Sequence, residues 1–392
     1  MSGAPSDPVR RVIDLVLIGI FLAVIFLPPL VAIFGIGPTT SLTEKRAPVA
    51  PPPLVLDVPG LTFFHRNFEG YWNDAFGFRS SLVRAYNRVS LWLGVSPSAK
   101  VVVGTDGWLF VGDEYSAVEY YRATRPFTPE ELVWWQGLLE ARRDWLAERG
   151  IRYLFVVAPD KQDIYPEYMP AALNRVGTAT RLDQLVTHLD RHSDLRLLDL
   201  RGALREAKAY DRPYERLDSH WNELGAWFAY AEIIKRLSVW FPRVQPVPLS
   251  EFERTWSTEQ GNDLAMLLSL SDVMPGEYLM LVPRVPRRAH LVPTDGITPS
   301  GSVAVLVSET GDPALPRAVM FHDSFAQRLW PFLSEHFERI VYSWQYNFDP
   351  ALVESEKPDV VLDEMVDRVL MATLSPNPDE VTRAWRDPQR RD

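Results

Sequence analysis

Val319-Met320-Phe321-His322-Asp323-Ser324-Phe325 reads as a buried strand running into a helix. Ala318 to Phe321 is apolar throughout, as a strand covered on both faces must be. Phe325 to His336 continues as a helix. Ser324 stands at the junction. In an open α/β sheet that junction lies at the carboxyl edge, where ligands bind. The first helical N–H groups there point at whatever the hydroxyl attacks, a natural oxyanion site. This is the layout of a nucleophile elbow, reached without G-x-S-x-G. The plainer alternative is that Ser324 only caps the helix. Asp323 could be the cap instead, which would leave Ser324 for chemistry.

A nucleophilic serine needs a base. The best candidate lies about a hundred residues earlier, in Arg216-Leu217-Asp218-Ser219-His220-Trp221-Asn222. In an extended segment residues i and i+2 point to the same side, roughly 7 Å apart at the backbone. Asp218 can therefore accept from Nδ1 of His220, orienting the ring and leaving Nε2 as the base. Trp221 could wall the ring from water. His322 is a second potential base, or a neighbour that tunes the pocket. His188 and His192 stand at i, i+4 on a polar helix end without H-E-x-x-H, so no metal site is expected.

Around these stretches strands alternate with helices. Val101 to Val111, turning at Thr105-Asp106-Gly107, reads as a hairpin. A helix starts at Thr128, with Pro129 at N1 and Glu131 closing a capping box, and stops at Gly150. Tyr153–Ala158 is a strand ending in Pro159-Asp160-Lys161, where Lys161 could contact an anionic polymer or form a surface ion pair. A helix over Thr178–Arg191, a strand over Leu195–Leu200 and a helix over Glu223–Leu237 follow. Residues 241–316 break the rhythm with recurring prolines and short β-like pieces such as Val303–Val307, and read as a β-rich insertion. Arg339–Ser343 and Val360–Leu362 are further strands, and Glu364–Ala372 a helix. The alternation predicts an α/β fold in three layers around a central parallel sheet.

The amino terminus adds a second theme. Leu15 to Ile36 carries no charged residue and is long enough to cross a bilayer, which takes about 20 helical residues. Arg10 and Arg11 before it leave the N-terminus (1–14) cytoplasmic. A cleaved signal peptide is the alternative; the apolar run is long for one and no Ala-x-Ala follows directly. The expected organisation is a transmembrane segment over 15–36, a proline-rich spacer over 37–60, a domain over 61–372 and a polar tail over 373–392. Composition limits the rest. With 46% hydrophobic residues the 392-residue chain folds. A net charge of -10 without a basic run argues against nucleic acid. With 0 cysteines, disulfides and thiolate metal sites are excluded. The 13 tryptophans supply core and, for some, platforms on which sugar rings can pack.

Four motifs in order carry a resemblance to a known family: Gly104-Thr105-Asp106-Gly107-Trp108-Leu109-Phe110, Pro159-Asp160-Lys161 with Ile164-Tyr165-Pro166-Glu167, Asp218-Ser219-His220-Trp221, and Asp323-Ser324-Phe325. The chain resembles the alginate O-acetyltransferase-like proteins from about residue 60 to 372. The resemblance implies an SGNH-hydrolase-like domain with a triad of Asp218, His220 and Ser324, in an order that resembles a circular permutation of ordinary SGNH esterases. It implies O-acetylation of an exported polysaccharide through an acetyl-serine, with no cofactor. It also implies a membrane-bound acyltransferase as acetyl donor, and an inner-membrane anchor with the domain outside the cytoplasm. An esterase with the same triad, or a non-catalytic polysaccharide-binding subunit, are the alternatives. Many relatives have Gly where this chain has His322, whose side chain could crowd the oxyanion region or replace a contact. Asn347 is the candidate side-chain donor to the oxyanion, beside the Ser324 N–H; otherwise it is an ordinary loop cap.

Overall fold

The computed structural model describes residues 8–34, 49–258, 262–294, 297 and 303–372. The first half of the spacer, 37–48, and the whole polar tail lie outside them. The chain divides into two compact units.

The first unit runs to Ser98 and includes Met266–Ser271. Its first helix, α1, is Pro8–Phe34 and keeps Pro28 and Pro29 inside it. The stretch Val9–Phe34 is apolar and long enough to span a bilayer. Helix α2 (Val58–Ala75) is capped by Asp57, which accepts from Gly60 N at 2.6 Å. Helix α3 (Arg79–Trp92) follows after a tight turn. Residues 61–98, read above as the start of the main domain, cluster instead with this N-terminal unit.

The second unit begins with the expected hairpin, β1 (Val101–Val103) and β2 (Leu109–Val111). Asp106 and Gly107 take positive φ at its turn, which the glycine adopts without a Cβ clash. Helix α4 (Ala117–Arg122) leads to α5 (Pro129–Ala147), whose capping box between Thr128 and Glu131 forms as read. Strand β3 (Arg152–Ala158), α6 (Lys161–Ile164) and α7 (Arg181–His192) come next. Thr180 caps α7 with Asp183 as its reciprocal partner, so that helix starts later than periodicity suggests. Strand β4 shrinks to Leu198–Asp199, because Arg201 already opens α8 (Arg201–Ala207). Helix α9 (Glu223–Ser238) is capped by Asn222.

The segment expected to form a β-rich insertion splits. Strands β5 (Phe252–Ser257) and β6 (Tyr278–Pro283) pair as an antiparallel ribbon, with α10 (Asp263–Leu267) between them in sequence. Strands β7 (His290–Val292) and β8 (Val305–Glu309) instead join the main sheet. Then come β9 (Arg317–His322), α11 (Trp330–Leu333), β10 (Arg339–Trp344), α12 (Pro350–Glu356) and β11 (Val360–Val366). The sheet order is β4-β3-β11-β9-β10-β8-β7. The first five strands are parallel, but β8 and β7 are antiparallel. The expected central parallel sheet is present, extended at one edge by the antiparallel pairings of β8 and β7.

Two expected helices differ. The single helix over Phe325–His336 is broken into a 3-10 turn (Ser324–Arg328), α11 and a second 3-10 turn (Ser334–His336). Pro331, which lacks an N–H, sits at the start of α11, where a helix tolerates it. The helix over Glu364–Ala372 is absent: β11 runs on through Val366, paired residue by residue with β3, before a 3-10 turn at Asp367–Met371. Pairing with β3, and for Asp363 with β9 as well, overrides the polar look of Asp363 and Glu364.

Along the central strands side chains alternate between the two faces. Val319, Phe321, Val341 and Val361 pack with Leu352 and Val353 of α12. Ala318, Met320, Ile340 and Leu362 pack with residues of α7 and α9. Both faces are covered, which gives the three layers and sends the strand ends, not the strand faces, to the ligand side.

Candidate active site

Strand β9 delivers Ser324 to the carboxyl edge of the sheet. Asp323 does the capping: its Oδ1 accepts from Phe325 N at 2.8 Å. Its Oδ2 accepts from Val366 N at 2.8 Å and from the Tyr346 hydroxyl at 3.2 Å. Asp323 N donates to Glu364 Oε2 at 3.2 Å. The turn is thus pinned through Asp323, and Ser324 is relieved of capping.

The Ser324 hydroxyl lies 2.8 Å from Nε2 of His220. Nδ1 of that ring lies 2.8 Å from Oδ1 of Asp218, which also accepts from His220 N at 2.9 Å. The network assigns the proton to Nδ1 and leaves Nε2 to accept from the serine. Asp218, His220 and Ser324 are therefore brought together as a continuous polar chain. The His220 side chain is 23% exposed, enough for a ligand to reach it.

A second carboxylate, missed in the sequence, completes the cluster. Asp263 Oδ1 accepts from Ser219 N at 2.6 Å and Oδ2 from the Ser219 hydroxyl at 2.5 Å. Asp263 N donates to Asp218 Oδ2 at 3.2 Å, and Asp263 Oδ2 lies 3.8 Å from His220 Nδ1. Burial alone would lower the pKa of His220. The hydrogen bond and charge of Asp218, together with the charge of Asp263, outweigh it and raise the pKa above the ordinary histidine value. Burial disfavours ionised Asp218 too, but its bonds to His220 and Asp263 N hold its pKa well below the carboxylate range. Burial and the neighbouring Asp218 push Asp263 the other way, upward. Donor atoms of Asp218, His220 and Asp263 lie within 4.8 Å of one another, a spacing cation ligands can have. All four carboxylate oxygens already accept protein hydrogen bonds, so the cluster is satisfied as a hydrogen-bond network.

Lys161 is not on the surface, and the expected ion pair or polymer contact is corrected. It is 1% exposed, and its ammonium donates to the carbonyls of Glu215 at 3.0 Å, Arg216 at 3.1 Å and Asp218 at 2.6 Å. Three donors meet three acceptors, and the strap that carries the Asp218–His220 pair is clamped onto the end of β3. Burial pulls the Lys161 pKa down to about 7, against the pull of the nearby carboxylates.

Trp221 buries its indole, donates from Nε1 to the Phe325 carbonyl at 3.0 Å and meets the Phe325 ring edge-on. The Phe325 ring in turn packs 5.0 Å from the His220 ring. Trp221 thus backs the imidazole through Phe325. Arg368 lies over the Phe325 ring, 5.7 Å from its centroid, and pairs with Asp160. His322 is buried among Trp330, Tyr342 and Trp344, with Nδ1 2.7 Å from the Asp323 carbonyl oxygen. Burial lowers its pKa. It is a packing residue of the turn. Asn347 is exposed after β10 and makes no hydrogen bond among the described residues. His188 and His192 do meet on α7, and His188 Nε2 is 2.8 Å from Gln136 Oε1.

Comparison with known proteins adds the following. A family model described as SGNH hydrolase-like domain, acetyltransferase AlgX, matches residues 101–298, just over half of the chain. The protein named probable alginate O-acetylase AlgJ of Pseudomonas aeruginosa is 28% identical over 163 residues, 41% of this chain and 38% of that protein. Its namesake in Azotobacter vinelandii is 25% identical over 163 residues, 41% of this chain and 39% of the relative. The matched segment thus spans about two fifths of these relatives' length. Among solved structures, the O-acetyltransferase domain of Pseudomonas putida AlgJ aligns with a TM-score of 0.46 at 18% identity, over 74% of this chain and 99% of that domain.

Proposed function

The chain belongs to the family of SGNH hydrolase-like domains represented by the acetyltransferase AlgX, and from that membership we propose that it is an O-acetyltransferase acting on a polysaccharide. Relatives named as probable alginate O-acetylases support the substrate class. The observation that carries the reading is the unbroken run from Asp218 through His220 to a serine freed from capping.

The reaction is ping-pong acyl transfer. Nε2 of His220 takes the Ser324 proton as Oγ attacks the acetyl carbonyl of the donor. The tetrahedral oxyanion is held by the Ser324 N–H at the start of the 3-10 turn. Collapse breaks the bond to the leaving group, which recovers the proton from His220 and departs, leaving acetyl-Ser324. A sugar hydroxyl then gives its proton to His220 and attacks the acetyl carbon. The second collapse releases the acetylated sugar and returns the proton to Ser324. Asp218 holds the ring and stabilises the imidazolium in both halves. Asp263 adds a second negative charge behind it. The donor is a membrane-bound acyltransferase. Helix α1 anchors the protein in the cytoplasmic membrane with the catalytic part outside.

The test is Ser324→Ala in the full chain, with an activated acetyl ester as donor and a deacetylated polysaccharide as acceptor. Turnover should fall by about 10⁴ to 10⁶, and intact-mass measurement should show no acetyl adduct. Unchanged transfer or an undiminished adduct would overturn the proposal. Rapid acetate release by the parent chain with the acceptor left unmodified would make it an esterase.

A further inference from the structure

Helix α3 carries its polarity inside out. Asn87 and Ser90 are buried, and Asn87 Nδ2 donates to the Leu268 carbonyl at 2.7 Å within the same unit. Leu82, Tyr86, Val89, Trp92 and the next residue, Leu93, are exposed, Trp92 to 83%. These positions fall at i, i+4, i+7, i+10 and i+11, so they form one continuous stripe. In a helix that packs onto a core that stripe would face inward.

Charge and position say what covers it. From Ala75 to Lys100 the chain has Arg79, Arg84, Arg88 and Lys100 and no acidic residue, although its net charge is -10; Arg79 pairs back to Asp74 at 3.8 Å. The turn between α2 and α3 lies directly against α1: a Cβ on Gly77 would meet the Pro28 carbonyl oxygen at 2.3 Å and Val31 Cβ at 2.9 Å. Counted from Leu15, where the uncharged run begins, at 1.5 Å per residue, Pro28 lies about 20 Å along α1. A bilayer's hydrocarbon is about 30 Å thick. The turn that opens α3 therefore lies in the outer half of the membrane that α1 would cross, and α3 starts on the side toward its outer face. An apolar stripe with Trp and Tyr, bordered by arginines, is the pattern of a helix lying at that face.

We propose that α3 is an interfacial helix: its stripe sinks into the outer face of the membrane and its basic residues meet anionic phospholipid headgroups. This rests on the reading of α1 as a membrane anchor. It gives the chain two attachments, one across the bilayer and one along its surface.

The chain has 0 cysteines, so single cysteines can be labelled without background. Nitroxides at Leu82→Cys, Tyr86→Cys, Val89→Cys and Trp92→Cys, in the full chain reconstituted into phosphatidylethanolamine–phosphatidylglycerol vesicles, report lipid through collisions with oxygen and water through collisions with a nickel chelate. Val239→Cys, on the exposed end of α9, is the aqueous reference, and Ile18→Cys reports α1. The stripe labels should show an oxygen-to-nickel ratio several-fold above the Val239 label. The ratio should fall when phosphatidylcholine replaces the anionic lipid. A ratio equal to the Val239 label, with Ile18 in lipid, overturns the proposal and spares the anchor. Ile18 in water removes both. Stripe labels shielded from both reagents mean that protein covers the stripe, and the proposal fails.

Discussion

Asp263 makes the histidine more basic than its Asp218 partner alone would. Its charge adds to that of Asp218 in favouring the imidazolium. The base works only when neutral, so activity should rise with pH through the His220 pKa. Asp263→Asn removes one of the charges that raise that pKa and keeps an acceptor for Ser219. The acid limb of the kcat/KM profile should therefore move to lower pH. An unmoved limb would mean that Asp263 serves only the loop. Asp218 and His220 were legible because they stand two apart, and Ser324 because a buried strand ends beside it. Asp263 was not: it lies 45 residues beyond Asp218, in a segment with no periodicity, and only the folded loop joins them. His322, read as a second base or a neighbour of the pocket, packs beneath the turn, and Asn347, read as an oxyanion donor, stands exposed after β10. Sequence proximity to the serine or to a strand end does not decide which way a side chain turns.

Among elements, the strap Glu215–Asp218 is the one on which the site depends. It has no regular structure, and its carbonyls are held by one buried ammonium. Lys161→Met keeps most of the volume but leaves three acceptors without their donor. The cost should be about 3 kcal/mol, read as a lower denaturant midpoint, with activity lost as His220 loses its register. A loss below about 1 kcal/mol would show that the strap holds itself. Helices with strong caps, α5 and α9, could be read from the sequence almost to the residue, since capping chemistry is local. The second half of β11, beyond Leu362 where the expected strand ends, could not. Its two acids looked like the solvent side of a helix, whereas Asp363 pairs inside the fold with Arg142 and accepts from the Tyr153 hydroxyl at 2.8 Å.

At the scale of the whole molecule, buried acids set the response to pH. Burial and the neighbouring Asp323 hold the Glu364 pKa well above its ordinary value, and burial with Asp160 and Asp163 does the same for Asp367. Such groups bind protons more tightly folded than unfolded. Their stabilising effect is full below the unfolded pKa and is lost as pH rises toward the folded one. Glu364→Gln removes one of these titrations. Its melting temperature should exceed that of the parent at pH 8 by more than at pH 5, a difference on the order of 1 kcal/mol. An equal effect at both values would mean that Glu364 is ionised in the fold. Asp218, depressed instead, acts in the other direction and loses its contribution as pH falls. Strand β11 also sets an order of assembly. Among the described residues it is the last strand in chain order, yet it is the one that joins β3 to β9. A growing polypeptide that has not yet released Val360 can hold two half-sheets but not the whole. The half with Ser324 then has no seam to the half whose β3 end receives the Lys161 clamp. On the proposed function, a half-made molecule therefore lacks the assembled Ser324–His220–Asp218 run until synthesis has passed β11.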